Sequence, residues 1–198
     1  MKKLLAATAL AAVLLGASTV ALAQTDGRMY AGVGFGQATL DGFCSLVQDT
    51  AFSVGGSVAS CDEKDTAFKF FLGYRVNPNF ALEGSYFSYG DATARGQSLG
   101  VPFTISADAT AFGVAALGIL PLGNRFSLFG KVGILFSEGD ITASGVGGTF
   151  SESTSDTGLH YGFGAMFDVG TNFAIRAEWE RNDELEIDMM SLGLQVRF

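Results

Sequence analysis

The chain has 198 residues, of which 48% are hydrophobic and 18 are phenylalanine, with a formal net charge of -8. That acidic balance excludes nucleic-acid binding, which asks for a basic stripe. Beyond the first two dozen residues no stretch approaches the roughly 20 apolar residues of a membrane helix, so the apolar surface belongs either in the core of a secreted sandwich or against lipid.

In chain order, Lys2 and Lys3 precede an uncharged run over residues 4–20 that ends in Ala21-Leu22-Ala23. This is the pattern of a secretory signal peptide, with cleavage between Ala23 and Gln24. The mature chain, residues 24–198, is then a single domain, and loss of the two lysines takes its charge to -10. Export to an oxidising compartment makes a Cys44–Cys61 disulfide the default for the only two cysteines. Two cysteines and one distant histidine make a poor zinc site. No metal or cofactor is expected.

Residues 29–40 alternate Met29, Ala31, Val33 and Phe35 against Tyr30, Gly32, Gly34 and Gly36. A glycine-rich face on a strand fits the inner wall of a narrow barrel, where it leaves room for large side chains from across the lumen. Residues 41–64 read as a long polar loop carrying the cysteine pair. Residues 66–76 put Phe68, Phe70, Leu72 and Tyr74 on one face and Lys69, Phe71, Gly73 and Arg75 on the other. The turn Asn77-Pro78-Asn79 leads into residues 80–89, where Phe80, Leu82 and Tyr86 oppose Glu83, Ser85 and Phe87.

A second loop spans residues 91–104, and residues 109–120 form the strand of weakest alternation. After the turn at 121–124, residues 125–137 set Phe126, Leu128, Val132, Ile134 and Phe136 against Ser127, Phe129, Lys131 and Gly133. A third long loop, acidic and Gly/Ser/Thr-rich, covers 138–156. Residues 157–169 place Leu159, Tyr161, Phe163 and Phe167 opposite His160, Gly162, Gly164, Met166 and Asp168. The turn Gly170-Thr171-Asn172 opens onto 173–181, with Phe173, Ile175, Ala177 and Trp179 outward and Arg176, Glu178 and Glu180 inward. A short loop at 182–184 precedes the last strand, 185–198, whose Met190, Leu192, Leu194, Val196 and Phe198 share a face.

Eight strands of about ten residues, joined alternately by long loops and short turns, predict an all-β, eight-stranded antiparallel transmembrane β-barrel with short periplasmic turns and long extracellular loops. Aromatic residues gather near strand ends, at Phe80, Phe126, Phe173, Trp179 and Phe198, as interfacial girdles require. A secreted sandwich would carry a richly charged face opposite its core. Here the minor face is mostly Gly, Ala, Ser and Phe with a few ions.

By parity Lys69, Arg75, Lys131 and Arg176 point inward, as do Glu83, Asp168, Glu178 and Glu180. Four charges of each sign in a narrow lumen predict a paired network, because an unpaired buried ion costs several kcal/mol. The lone His160 has Gly158 and Gly162 at two-residue spacing, with neither nucleophile nor acid, so no enzyme is expected. Acidic residues crowd the loops, at Asp41, Asp49, Asp62, Glu63 and Asp65, then Glu138, Asp140, Glu152 and Asp156, then Asp183, Glu184 and Glu186. They read first as a solvated rim.

The stretches FKFFLGYRVNPNFALEGSYF (68–87), LPLGNRFSLFGKVG (120–133) and FAIRAEWER (173–181), with the terminal Phe198, resemble the OmpA-like outer-membrane β-barrels, including small barrel-only surface antigens. The resemblance implies an integral outer-membrane protein of a Gram-negative bacterium, a monomer in contact with outer-membrane lipids and lipopolysaccharide. It implies that Phe198 is read by the outer-membrane insertion machinery, and that inward Glu83, Lys131 and Arg176 belong to an ion-pair plug. Met166 stands where that pattern has a further inward carboxylate, with Asp168 two residues away. The expected role is structural, namely envelope integrity and presentation of surface loops. A narrow channel for small solutes is the alternative, and a lipid A-modifying enzyme a more distant one.

Overall fold

A computed structural model of the chain describes residues 28–53, 55–98, 101–145 and 148–198. The signal segment expected from the sequence, with its cleavage between Ala23 and Gln24, lies outside the described residues. The elements are β1 Met29–Leu40, α1 Phe43–Ser53, β2 Gly56–Asp62, β3 Lys64–Asn77, β4 Phe80–Ser98, β5 Val101–Pro121, β6 Phe126–Gly145, β7 Gly148–Asp168, β8 Phe173–Asn182 and β9 Ile187–Arg197.

Eight of the nine strands, all but β2, pair antiparallel in the ring β1-β3-β4-β5-β6-β7-β8-β9, with β9 returning to β1. Closure leaves the ring no free edge, the condition for backbone in hydrocarbon. Alternation decides the two faces. Val33, Phe35, Phe68, Leu72, Phe112, Val132, Phe163, Leu192 and Leu194 are exposed on the outside, while Tyr30, Phe71, Phe87, Leu117, Phe129, Leu135 and Met189 are buried inside. A band of large exposed aliphatic and aromatic side chains is lipid-facing surface. No described helix is long and apolar enough to cross a membrane.

Three of the loops expected from the sequence are largely regular structure. The stretches 91–104 and 138–156 continue the strands on either side: β5 and β7 reach 21 residues each, or ~70 Å at the rise of an extended strand. A span needs only about 9–11 residues, so the β4–β5 and β6–β7 hairpins stand well clear of the membrane. Their Gly, Ser and Thr composition reads as loop locally, whereas cross-strand pairing throughout 101–108 and 138–145 holds them extended. The third, 41–64, folds into α1 and β2. β2 adds to β4 where β3 has ended, and α1 lays Phe43 and Val47 on Ala92 and Ala94 of the tall hairpin. The helix signal is weak in sequence because only three residues, Phe43, Val47 and Ala51, are buried.

Gly90, at φ +77°, marks a register shift between Ser88 and Asp91. The inward phase passes there from Phe87 and Tyr89 to Ala92 and Ala94. A left-handed residue at a bulge is where glycine is favoured.

The glycine face of β1 works differently from expectation. At Gly32 the ring that needs the space comes from the adjacent strand β3, not from across the lumen, and β3 returns the arrangement at its own Gly73. Gly32 pairs with Phe71 and Gly73 with Tyr30; a Cβ on Gly32 would lie 2.2 Å from the Phe71 ring, and one on Gly73 2.0 Å from that of Tyr30. Each ring folds down over its cross-strand glycine.

Candidate functional site

Charged side chains converge at mid-height in the lumen. β8 supplies Arg176, Glu178 and Glu180 at two-residue spacing, so the pleat stacks all three on the inner face. Lys69 comes from β3, Glu83 from β4, Lys131 from β6 and His160 from β7. Tyr30 of β1 and Gln195 of β9 complete the ring of contributors.

Lys69 Nζ lies 2.8 Å from Glu178 Oε2 and 2.6 Å from Glu180 Oε2. Lys131 Nζ lies 2.7 Å from Glu178 Oε2 and 3.6 Å from Glu83 Oε1, and it also contacts Glu180 Oε1. Arg176 donates from Nη1 to Glu83 Oε2 at 2.7 Å, and its Nε sits 3.1 Å from Glu178 Oε1. Tyr30 donates its hydroxyl to Glu83 Oε2 at 3.0 Å, and Gln195 Oε1 accepts from Arg176 Nη1 at 3.3 Å. His160 Nε2 lies 3.1 Å from Glu180 Oε1, its ring edge-on to Phe87.

Three cations thus face three carboxylates, every one at 0–2% side-chain exposure. Burying ions is costly unless each is paired and hydrogen-bonded, and here each carboxylate meets at least two cations. The Arg176 guanidinium also lies 4.2 Å from the centroid of Phe71 and 4.6 Å from that of Phe129, a cation–π sandwich that fixes its plane.

Apolar layers close the network from both sides. Ala38, Ala67, Phe87, Tyr89, Ala111, Leu135, Ile187 and Met189 form one cluster toward the long-hairpin end. Tyr30, Phe71, Leu117, Ile119, Phe129 and Met166 form another toward the short turns. The lumen is a stack of apolar, ionic and apolar layers.

Arg75 and Asp168, two of the eight inward ions of the sequence reading, stand apart at the turn end. Asp168 pairs with Arg197, and Arg75 Nη2 approaches Met166 Sδ at 3.7 Å. Both are too near the turns for their side chains to reach mid-height. Sequence reasoning passed over Tyr30, His160 and Gln195 as network members, and Arg197 as the partner of Asp168. Strand parity places all four on the inner face, but a search for formal charge skips a phenol, an imidazole and an amide.

Elsewhere, Cys44 and Cys61 form a disulfide that ties α1 to β2. At the outer rim Arg181 Nη1 lies 3.0 Å from Asp41 and 2.9 Å from Asp188. Phe198 follows the last strand, its amide donating to Met29 O at 3.0 Å.

The family profile described as outer membrane protein beta-barrel domain matches residues 7–198. Among solved structures, Ail, the attachment invasion locus protein of Yersinia pestis, is 23% identical with a TM-score of 0.52, covering 86% of this chain and 97% of its own. The N-terminal β-barrel domain of Pseudomonas aeruginosa OprF is 14% identical at TM-score 0.53, covering 86% and 98%. The outer membrane protein OprG of Pseudomonas aeruginosa is 10% identical at 0.54, covering 86% and 97%. These likenesses establish a shared fold. No curated protein matches the chain.

Proposed function

This chain belongs to the outer membrane protein beta-barrel domain family, and we propose that within the Gram-negative outer membrane it serves a structural role, bracing the envelope and presenting its tall hairpins to the outside. In this reading the lumen is a plug. The observation that carries it is the ionic layer of Lys69, Glu83, Lys131, Arg176, Glu178 and Glu180 held between two apolar clusters. An eight-stranded barrel has an interior just wide enough for side chains to fill, and both apolar layers would have to part before water or a solute reached the charges. The lipid-facing band contacts outer-membrane lipids and lipopolysaccharide, the chain is a monomer, and Phe198 is the residue addressed by the insertion machinery.

The reading assigns no catalysis. His160 Nε2 faces Glu180 and its ring is buried against Phe87, whereas acyl transfer would need the imidazole in contact with a nucleophile. Lipid A incubated with the purified protein is expected to keep all its acyl chains.

Planar-bilayer recording tests the plug. The expected result is a membrane without stable unitary steps. Stable, well-resolved conductance that changes on Arg176→Ala would establish the channel alternative instead.

A further inference from the structure

Above the upper apolar layer the barrel opens into a cavity of about 390 Å³, ringed by the tall hairpins and by the β1–β3 and β8–β9 ends. Its floor is apolar: Ala38, Tyr89 and Ile187 belong to the cluster that seals the lumen below. Its walls are acidic. Asp65 shares the inward phase of Ala67 and Lys69 on β3, Glu63 lines the cavity from the junction just before that strand, and Glu152 shares the phase of His160 on β7. Asp91, Asp108 and Asp140, paired directly across β4, β5 and β6, lie in the same wall on the outward phase. None of the residues lining the cavity is basic, and among the described residues none of these six carboxylates is in an ion pair with a cation.

Carboxylates on an open rim would be solvated and mean little. Asp91, Asp108 and Asp140, exposed on the outward phase, face solvent. Glu63, Asp65 and Glu152 stand over a pocket with a closed apolar floor, where low-dielectric walls focus their field into the cavity. Backbone amides, of Cys44 on Glu63 and of Thr66 and Asp91 on Asp65, hold two of the three carboxylates there. The donors do not converge as a metal site does: no group of three or more His, Cys, Asp or Glu able to hold a metal ion occurs among the described residues. The chemistry that satisfies both parts of the pocket is one molecule with an apolar body and a positive head. We infer that this cavity is a dead-end binding site for small organic cations of the amine or quaternary-ammonium class, the apolar body resting on Tyr89 and Ile187 and the charge held among Glu63, Asp65 and Glu152. The dead end rests on the sealed lumen proposed above; titration of the cavity reads the site and planar-bilayer recording reads the seal, so the two fail separately.

The test titrates the protein in lipid nanodiscs with benzyltrimethylammonium, and with benzenesulfonate as the anionic counterpart, following the methyl NMR signals of Ile141, Leu185 and Ile187. Saturable shifts of these methyls by the cation alone are expected. Glu63→Gln with Glu152→Gln should weaken the cation roughly tenfold by removing two of the facing charges, and Ala109→Phe, which fills the pocket, should abolish the shifts. Retained heat modifiability on a gel establishes that each variant is still a barrel. Absence of saturable shifts, an equal response to benzenesulfonate, or unchanged affinity in the two-glutamine variant overturns the site.

Discussion

Arg176 and Glu83 stand 93 residues apart and meet at 2.7 Å inside the barrel, both without exposed side-chain surface. Their contact joins β8 to β4, on opposite arcs of the ring, so the pair ties the two walls of the barrel together through its axis.

Arg176→Met removes the nearer of the two cations on Glu83 and one of the three on Glu178, leaving the network one negative charge in excess without restoring solvent to either carboxylate. The expected loss is about 3–5 kcal/mol, the cost of leaving a buried charge uncompensated. It should appear as a lower urea midpoint for the protein in nanodiscs. The double variant Arg176→Met/Glu83→Met keeps two lysines facing Glu178 and Glu180, and should recover a large part of that loss.

The fit of Gly73 to Tyr30 gives a packing prediction. All three nearest neighbours of a Cβ at Gly73 are atoms of the Tyr30 side chain, two of its ring and the hydroxyl oxygen, so Gly73→Ala must displace that side chain and strain its bond to Glu83. A destabilisation of about 1–3 kcal/mol is expected. The same substitution in a Tyr30→Ser background should cost markedly less, as read by the same unfolding experiment.

The disulfide between Cys44 and Cys61 closes a segment that packs on the outer hairpin and contributes no strand to the ring. Reduction should therefore raise amide exchange in α1 and β2 while protection in β8 and β9 is unchanged, because local openings follow local contacts. Loss of protection throughout the ring would show that the outer segment supports the barrel.

A pH dependence is expected at the tall hairpins. Desolvation, with Asp140 and then Asp91 beside it, raises the Asp108 carboxyl above its usual 3.8. A carboxyl raised in the folded state contributes stability below its unfolded value, and that contribution is lost as pH rises through the folded one. The hairpin should accordingly exchange faster above the carboxylate range than below it. Asp108→Asn should slow exchange at neutral pH by the equivalent of a few tenths of a kcal/mol, since like charges directly opposite are destabilising but these are solvent-screened. Added salt should shrink the difference.

Much of this was legible in the chain. The alternation of Phe68, Phe70 and Leu72 against Lys69 and Phe71, and of Phe173 and Ile175 against Arg176, was enough to assign the faces and to count eight ring strands. The short turns expected at 77–79, 121–124 and 170–172 are found within a residue of those positions. The tall hairpins were not legible, because Ser-, Thr- and Gly-rich sequence has no strong preference of its own and is extended only by the neighbour it pairs with. The helix at Phe43–Ser53 was hidden for a related reason: its few buried residues gain their partners, Ala92 and Ala94, from a distant hairpin.

The face a side chain takes is a local property, set by the two-residue period of the pleat, and the sequence by itself therefore determined that Lys69, Glu83, Lys131, Arg176, Glu178 and Glu180 lie inward. Which of them meet was decided only by the tertiary structure. Lys69 reaches Glu180 across a separation of 111 residues, and Arg75 and Asp168 are left at the turn end, because height in the lumen depends on the register of every strand around the closed ring. That stagger is shared by all eight strands together, and no single segment carries it.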